Sequence, residues 1–488
     1  MRILESELFR FDVHTRMPFR YGIATLTEAP HVFLRVHLEV GGKTATGISA
    51  DHLPPKWFTK DPDRPTSDEI DEMARVVRHA MRLAENAEAA SVFELWQQLY
   101  AAQMDWALIE KLPPLLAHFG VTLVERATID AVCRASGEPF WKMLHSGRLG
   151  VRLSAVHPGL RDDELASLLP AKPLDRLIAR HTVGLTDALT EDEIPHGEHL
   201  DDGLPQSLEA CIRHYGLRHF KIKVCGQPEH DVERLMRVAR IVAANAPGDY
   251  GFTLDGNESF RSAAPFAEFW RDVTARVPEF FRHLIFVEQP FHRDLALDDS
   301  IGEFFAQWPD RPPVIIDESD ATTASLPRAL ALGYAGTSHK NCKGVCKSVC
   351  NAALLERLRQ SGSGLGAAKG RGTEAPPTFG TEAPPTFVMS GEDLTNIGPV
   401  ALLQDLAVAA ALGIESVERN GHHYFAGLSM FPKNVQRTVL GAHGDLYAET
   451  SRGWPAVAIH DGMLAIESLN RAPFGTGFEM DLDFAKKF

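Results

Sequence analysis

Three carboxylates in this chain stand at the ends of short apolar runs: Asp255 in FTLDGN, Glu288 in IFVEQP and Asp317 in VIIDES. They are 33 and 29 residues apart, each about the length of one βα unit. Where such runs are successive barrel strands, their ends are neighbours around one rim and the three acids converge. Carboxylates gathered in this way repel unless a hard cation lies between them. An all-oxygen set favours Mg²⁺ over zinc, with Mn²⁺ as the substitute, and leaves positions for water and a substrate carboxylate. One strand-end acid taken singly reads as a cap for the following helix; three in successive units reverse that reading.

Lysines occur in the same register. Lys221 and Lys223 in HFKIKVC lie two apart and so face one side of a strand, and Lys340 ends another strand in GTSHKN. In a barrel these are the second and sixth strands, almost opposite each other, so two amines flank whatever lies over the acids. The arrangement suits removal of a proton next to a carboxylate, a step open to lysine only where cations stabilise the enediolate. Neighbouring positive charge also lowers a lysine's pKa, which a base working near neutrality requires.

The elements that must position these groups are legible as patterns. From about residue 175, eight apolar runs from RLIARHTVG to GIESVERNG alternate with helical stretches, the size of a closed (β/α) barrel, although an open doubly wound sheet shares the local pattern. Residues 1 to about 60 alternate with period two, as in HVFLRVHLEV, and predict an antiparallel meander. Residues 66–150 carry helical periodicity beginning near Ser67, an N-cap candidate, so 1–150 reads as an α+β domain. The barrel is assigned to 175–430. Residues 431–488 contain a strand-turn-strand signal, AVAIHDGMLAIES, and are expected to return to the first domain. The segment 361–387, with GTEAPPTF twice in tandem, reads as a long mobile loop, either an active-site lid or, the favoured reading, a local duplication tolerated on the surface.

The 488 residues, 44% hydrophobic and 24% charged, describe a globular protein with a sizeable core. A net charge of -15 argues against nucleic-acid binding. No stretch approaches the roughly 20 apolar residues of a membrane span, and the N-terminus has no apolar signal region, so a cytoplasmic protein is expected. Six cysteines suit reduced thiols, and Cys342, Cys346 and Cys350, at steps of four, read as buried packing residues along one helix face. His196, Glu198 and His199 in HGEH lack the HExxH spacing and read as a solvated connection.

KIK, LDGN, VEQP, IIDES and SHKN, in this order and spacing, resemble the enolase superfamily, specifically the muconate-lactonizing-enzyme-like subgroup of the mandelate racemase/muconate lactonizing enzyme family. The resemblance implies a modified TIM barrel closed by an N-terminal α+β capping domain that the C-terminal tail completes. It implies Asp255, Glu288 and Asp317 as ligands of Mg²⁺, Lys223 and Lys340 as opposed acid/base groups, and Lys221 as a contact to the substrate carboxylate. A Lys base with Mg²⁺ is a general property of enolase-superfamily sites. The implied activity is abstraction of the proton α to the carboxylate of a small substrate through an enediolate, ending in racemisation, epimerisation, cycloisomerisation or elimination. A homo-oligomer is also implied.

The capping loops PFRYG and DHLPPKWF add Tyr21 and Trp57 as substrate contacts, and Asn257 of LDGN joins them. The eighth strand region reads SVERNGHHYF without a DxD motif; His422 and His423 are candidates there, as are Arg180 and His181 on the first strand. The two adjacent histidines keep an acid-sugar dehydratase as an alternative. A binding protein that retains the fold is the other alternative, and the two opposed lysines speak against it.

Overall fold

The computed structural model describes residues 1–21, 23–361 and 387–488. The period-two alternation near the N-terminus becomes a meander of β1 (Arg2–Tyr21), β2 (Ala24–Val40) and β3 (Lys43–His52), all antiparallel. Helices α1 (Thr66–Glu85) and α3 (Pro114–Ser136) pack against this sheet, and α2 (Val92–Glu110) packs on α3. Close approach depends on two glycines. A Cβ on Gly47 would lie 2.0 Å from the Ala127 carbonyl of α3, and one on Gly120 would lie 2.3 Å from the Val76 carbonyl of α1. Helix α1 starts one residue before the expected cap: Pro65 takes the N-cap position with extended backbone, and Ser67 sits inside the first turn beside Asp68. The fixed φ of proline predisposes the chain to start there.

Helices α4 (Phe140–His145) and α5 (Leu165–Leu168) lead to the second unit. Its strands are β4 (Arg176–Val183), β5 (His219–Lys223), β6 (Gly251–Asp255), β7 (Leu284–Glu288), β8 (Val314–Ile316), β9 (Gly336–His339), β10 (Val388–Gly391) and β11 (Ser416–Arg419), with α6 (Leu208–Tyr215) between β4 and β5. Each strand pairs in parallel with the next, and β11 pairs with β4, Arg419 opposite His181. That last pairing makes the sheet a closed (β/α)₈ barrel and excludes the open doubly wound alternative.

The α+β unit is bonded to the barrel at several buried points. His118 Nδ1 on α3 lies 2.8 Å from the Ala321 carbonyl, and Gln404 Nε2 donates to the Ile48 carbonyl at 2.7 Å. Glu125 on α3 accepts the N–H groups of Val345 and Cys346 at 3.1 and 2.6 Å, capping the helix Val345–Ser361 with a carboxylate where the helix dipole favours one.

The C-terminal segment forms the hairpin β12 (Tyr447–Glu449) and β13 (Pro455–Val457), then lays β14 (Met463–Ala465) antiparallel to the start of β4. Its end, β15 (Lys486–Lys487), pairs with β1 at Phe9 and Arg10, and the rings of Phe431 and Phe484 pack on Phe11 of β1. Cys342, Cys346 and Cys350 are buried free thiols, and residues 196–199 are exposed. Apart from its two end residues, the 361–387 segment with its tandem GTEAPPTF lies outside the described residues. Among the described residues no helix is long and apolar enough to cross a membrane.

Candidate active site

The alternation of β5 sends Lys221 and Lys223 into the barrel, and in-register pairing sets Lys223 opposite Asp255 and Asp255 opposite Glu288. Asp317 follows β8 and Lys340 follows β9 directly. All six side chains are buried. Lys223 Nζ donates to Asp255 Oδ2 at 2.7 Å, and Lys340 Nζ donates to Asp317 Oδ2 at 2.7 Å. Asp317 is further held by the Ser338 hydroxyl at 2.6 Å and by Lys343 Nζ at 3.1 Å.

Lys221 is surrounded by carboxylates. Its Nζ lies 3.0 Å from Asp255, 2.8 Å from Glu288, 2.7 Å from Glu392 and 3.0 Å from Glu418. Burial alone would lower its pKa, but these four charges outweigh burial and hold it well above the ordinary lysine value. Lys221 is therefore a fixed ammonium.

Glu392, after β10, and Glu418, in β11, complete this cluster. Glu392 pairs with Arg180 and Ser390, and Glu418 accepts from Thr182 at 2.7 Å. Neither acid was among the sequence candidates. Both end strand-like runs, SGED and SVER, so the rule that singled out Asp255 also reaches them.

Burial, then the neighbouring Glu392, Asp255 and Asp317 charges, push the Glu288 carboxyl well above its usual range although Lys221 opposes them. Neither Glu288 oxygen has a hydrogen-bond partner, because Lys221 lies close to Oε2 without hydrogen-bonding alignment. For Asp317, burial would raise the carboxyl, but Lys340 and Lys343 outweigh it and hold the group far below the usual range. Lys340 responds in the opposite sense: burial lowers it, Asp317 outweighs burial, and it stays protonated. Asp255, Glu288 and Asp317 are each engaged by a lysine ammonium. Lys221 and Lys340 stand among them. The donors themselves suit a hard cation: they are all oxygen, and Glu288 is a buried carboxylate with both oxygens unsatisfied.

Over these groups lies a half-open pocket. Both Lys223 and Lys340 line it, with Asn257 and Glu418 on the barrel side and Phe19, Tyr21 and Trp57 on the capping side. Lys340 Nζ stands 4.9 Å from the centre of the Trp57 ring. The structure thus brings Tyr21, Trp57 and Asn257 to the two lysines. Lys221 is fully buried and does not line the pocket. His181, His422 and His423 do not line it either; they pack together where β4 meets β11, with His181 Nδ1 3.0 Å from His422 Nε2.

No family model and no curated protein matches this sequence. Solved structures do match. A muconate lactonizing enzyme from Pseudomonas fluorescens, complexed with muconolactone, covers 100% of this chain and 99% of its own, at TM-score 0.59 and 15% identity. The N-succinyl Arg/Lys racemase from Bacillus cereus covers 96% and 97%, at 0.57 and 14%. A dipeptide epimerase from Methylococcus capsulatus, complexed with Mg and a dipeptide, covers 86% and 90%, at 0.52 and 16%. The fold is that of the mandelate racemase/muconate lactonizing enzyme family. In this fold the meander and its helices lie over the strand ends at which the carboxylates and lysines described above sit.

Proposed function

We propose that this protein is an enolase-superfamily isomerase or lyase that removes the proton α to the carboxylate of a small substrate. The observation that carries the reading is a single pocket lined by two lysines from opposite barrel strands, each hydrogen-bonded to a strand-end carboxylate. Asp255, Glu288 and Asp317 would hold Mg²⁺, or Mn²⁺ in its place. The ion would supply positive charge against the charge that develops on the substrate carboxylate as the proton leaves.

The chain's own residues account for the rest. Lys223 Nζ and Lys340 Nζ approach the α-carbon from opposite faces, one taking the proton and the other returning one for racemisation or epimerisation. The lysine that acts as base must be neutral, which for Lys340 requires relief of the Asp317 charge that keeps it protonated. Phe19, Tyr21 and Trp57 shield this space from water, and Tyr21 is fixed by donating to the Pro55 carbonyl at 2.9 Å. The apolar walls favour a substrate with an apolar part beside its carboxylate. The dehydratase alternative rests on His422 and His423, and neither reaches the pocket. The reading carries with it the expectation of a homo-oligomer in the cytoplasm.

The test is incubation with Mg²⁺ in D₂O with N-acyl amino acids, dipeptides, lactone-forming dicarboxylates and acid sugars, following α-deuterium by mass spectrometry. Exchange in one substrate series is the expected result. Metal binding with no exchange in any series would instead support a binding protein on this fold.

A further inference from the structure

A second cluster lies outside the lysine pocket. His181 belongs to β4, Cys211 to α6, and His423 to the short turn after β11. All three are buried, at 1%, 0% and 2% exposure, and one ring nitrogen of each histidine and the Cys211 sulfur lie within 4.8 Å of one another. Cys211 Sγ is 3.5 Å from His423 Nδ1. Two ligands of a tetrahedral zinc ion, one sulfur at about 2.3 Å and one nitrogen at about 2.0 Å, stand about 3.5 Å apart.

At His181 the outer contact follows the pattern of metal-bound imidazoles, whose second nitrogen is held by another group. His181 Nδ1 is engaged by His422 Nε2 at 3.0 Å, leaving Nε2 as its free donor nitrogen. His423 Nε2 faces the Asp187 carboxylate at 3.9 Å, and Asp187 is itself fixed by the Tyr424 hydroxyl at 2.5 Å and the Gly184 N–H at 2.7 Å. Burial keeps both imidazoles neutral, the form that binds metal.

We propose that His181, Cys211 and His423 form a transition-metal site of the zinc class that staples the seam at which the barrel closes. One sulfur and two imidazole ligands suit Zn²⁺ or Co²⁺ and not Mg²⁺. As the sulfur–metal bond forms, the Cys211 thiol releases its proton to solvent and the sulfur supplies the electron pair; nothing is oxidised or reduced. The site joins β4 and the helix after it to the end of β11, which is far away in sequence and reaches them only on closure.

The full-length protein, grown in minimal medium and dialysed against EDTA, is titrated with Co²⁺ alone. The expected result is one equivalent bound with a thiolate-to-cobalt charge-transfer band and tetrahedral visible bands, displaced by Zn²⁺ and unmoved by excess Mg²⁺. Cobalt on the Asp255, Glu288 and Asp317 oxygens gives no thiolate band, so the two sites are read separately. Cys211→Ala should lose the band while keeping its circular dichroism, and His423→Gln should weaken cobalt binding at least tenfold. Folded wild-type protein that shows no thiolate band overturns the proposal even if Cys211→Ala does not fold. An undiminished band in folded Cys211→Ala overturns it as well.

Discussion

Lys340 and Asp317 set each other's charge. The carboxylate holds the ammonium on, and Lys340 and Lys343 hold the carboxylate ionised against the pull of burial. On the proposed reading, Lys223→Ala and Lys340→Ala each remove one face of the reaction. Each should slow α-deuterium exchange of one enantiomer by about 10²–10⁴-fold and leave divalent-ion affinity nearly intact. Chiral separation after D₂O incubation checks this, and equal loss for both enantiomers would contradict the assignment. Glu288→Gln tests the unsatisfied carboxylate. Burial and the neighbouring acids already disfavour a charge on this carboxyl, so a neutral amide of the same size should leave the metal-free melting temperature nearly unchanged. The stabilisation by Mg²⁺, about 2.7 kcal/mol at 100 times Kd for an intact site, should disappear. Undiminished Mg²⁺ stabilisation in the variant would rule Glu288 out as a ligand.

At the scale of elements, the loop that carries Trp57 is fastened to the barrel rim. Arg293 donates to the Trp57 and Phe58 carbonyls at 2.9 and 2.8 Å and pairs with buried Glu258, which also meets Lys60 at 2.7 Å. Lys60 donates in turn to the Asn257 carbonyl at 2.8 Å. Burial would raise the Glu258 carboxyl, but Arg293 and Lys60 hold it low. Arg293→Ala leaves a buried carboxylate with one partner and should cost about 3 kcal/mol. Because the Trp57 loop loosens, KM should rise more than kcat falls. Urea unfolding and steady-state kinetics on the substrate found by exchange check the two parts, and an unchanged KM would show that the clamp is purely structural. None of this clamp is visible in DHLPPKWF or FHRDL, since nothing local indicates that residues more than 200 positions apart meet. The strands, by contrast, are mostly legible: runs such as FTLD, LIFVE and VII carry their own apolar pattern and end in a polar turn, while GTSH of β9 does not.

For the whole molecule, pH acts through histidines that join the two units. His118 on α3 reaches the Ala321 carbonyl beyond β8 and stacks on Tyr100 at 3.9 Å. Burial lowers its pKa to about 3. The unfolded chain protonates this histidine below about 6.5 and the folded protein does not, so its contribution is present above that pH and lost as pH falls toward 3. Relative to His118→Gln, the wild-type protein should therefore lose stability between pH 6.5 and 5, with a slope difference of up to about 1.4 kcal/mol per pH unit. Urea midpoints of both proteins across that range measure it, and parallel pH profiles would exclude the effect.

By itself the sequence determined the strand and helix types, the order of the βα units and the positions of Asp255, Glu288, Asp317, Lys223 and Lys340, because each depends on a period or a spacing within one local run. Tertiary structure decided the rest. Closure of β11 on β4 made the sheet a barrel, and the cluster of Lys221 with Glu392 and Glu418 exists only because strands two, seven and eight then face one interior. The same closure drew His181, His422 and His423 into the seam and away from the pocket. A local pattern reports which face of a strand is buried; which groups share that buried space depends on where strands distant in sequence come to lie.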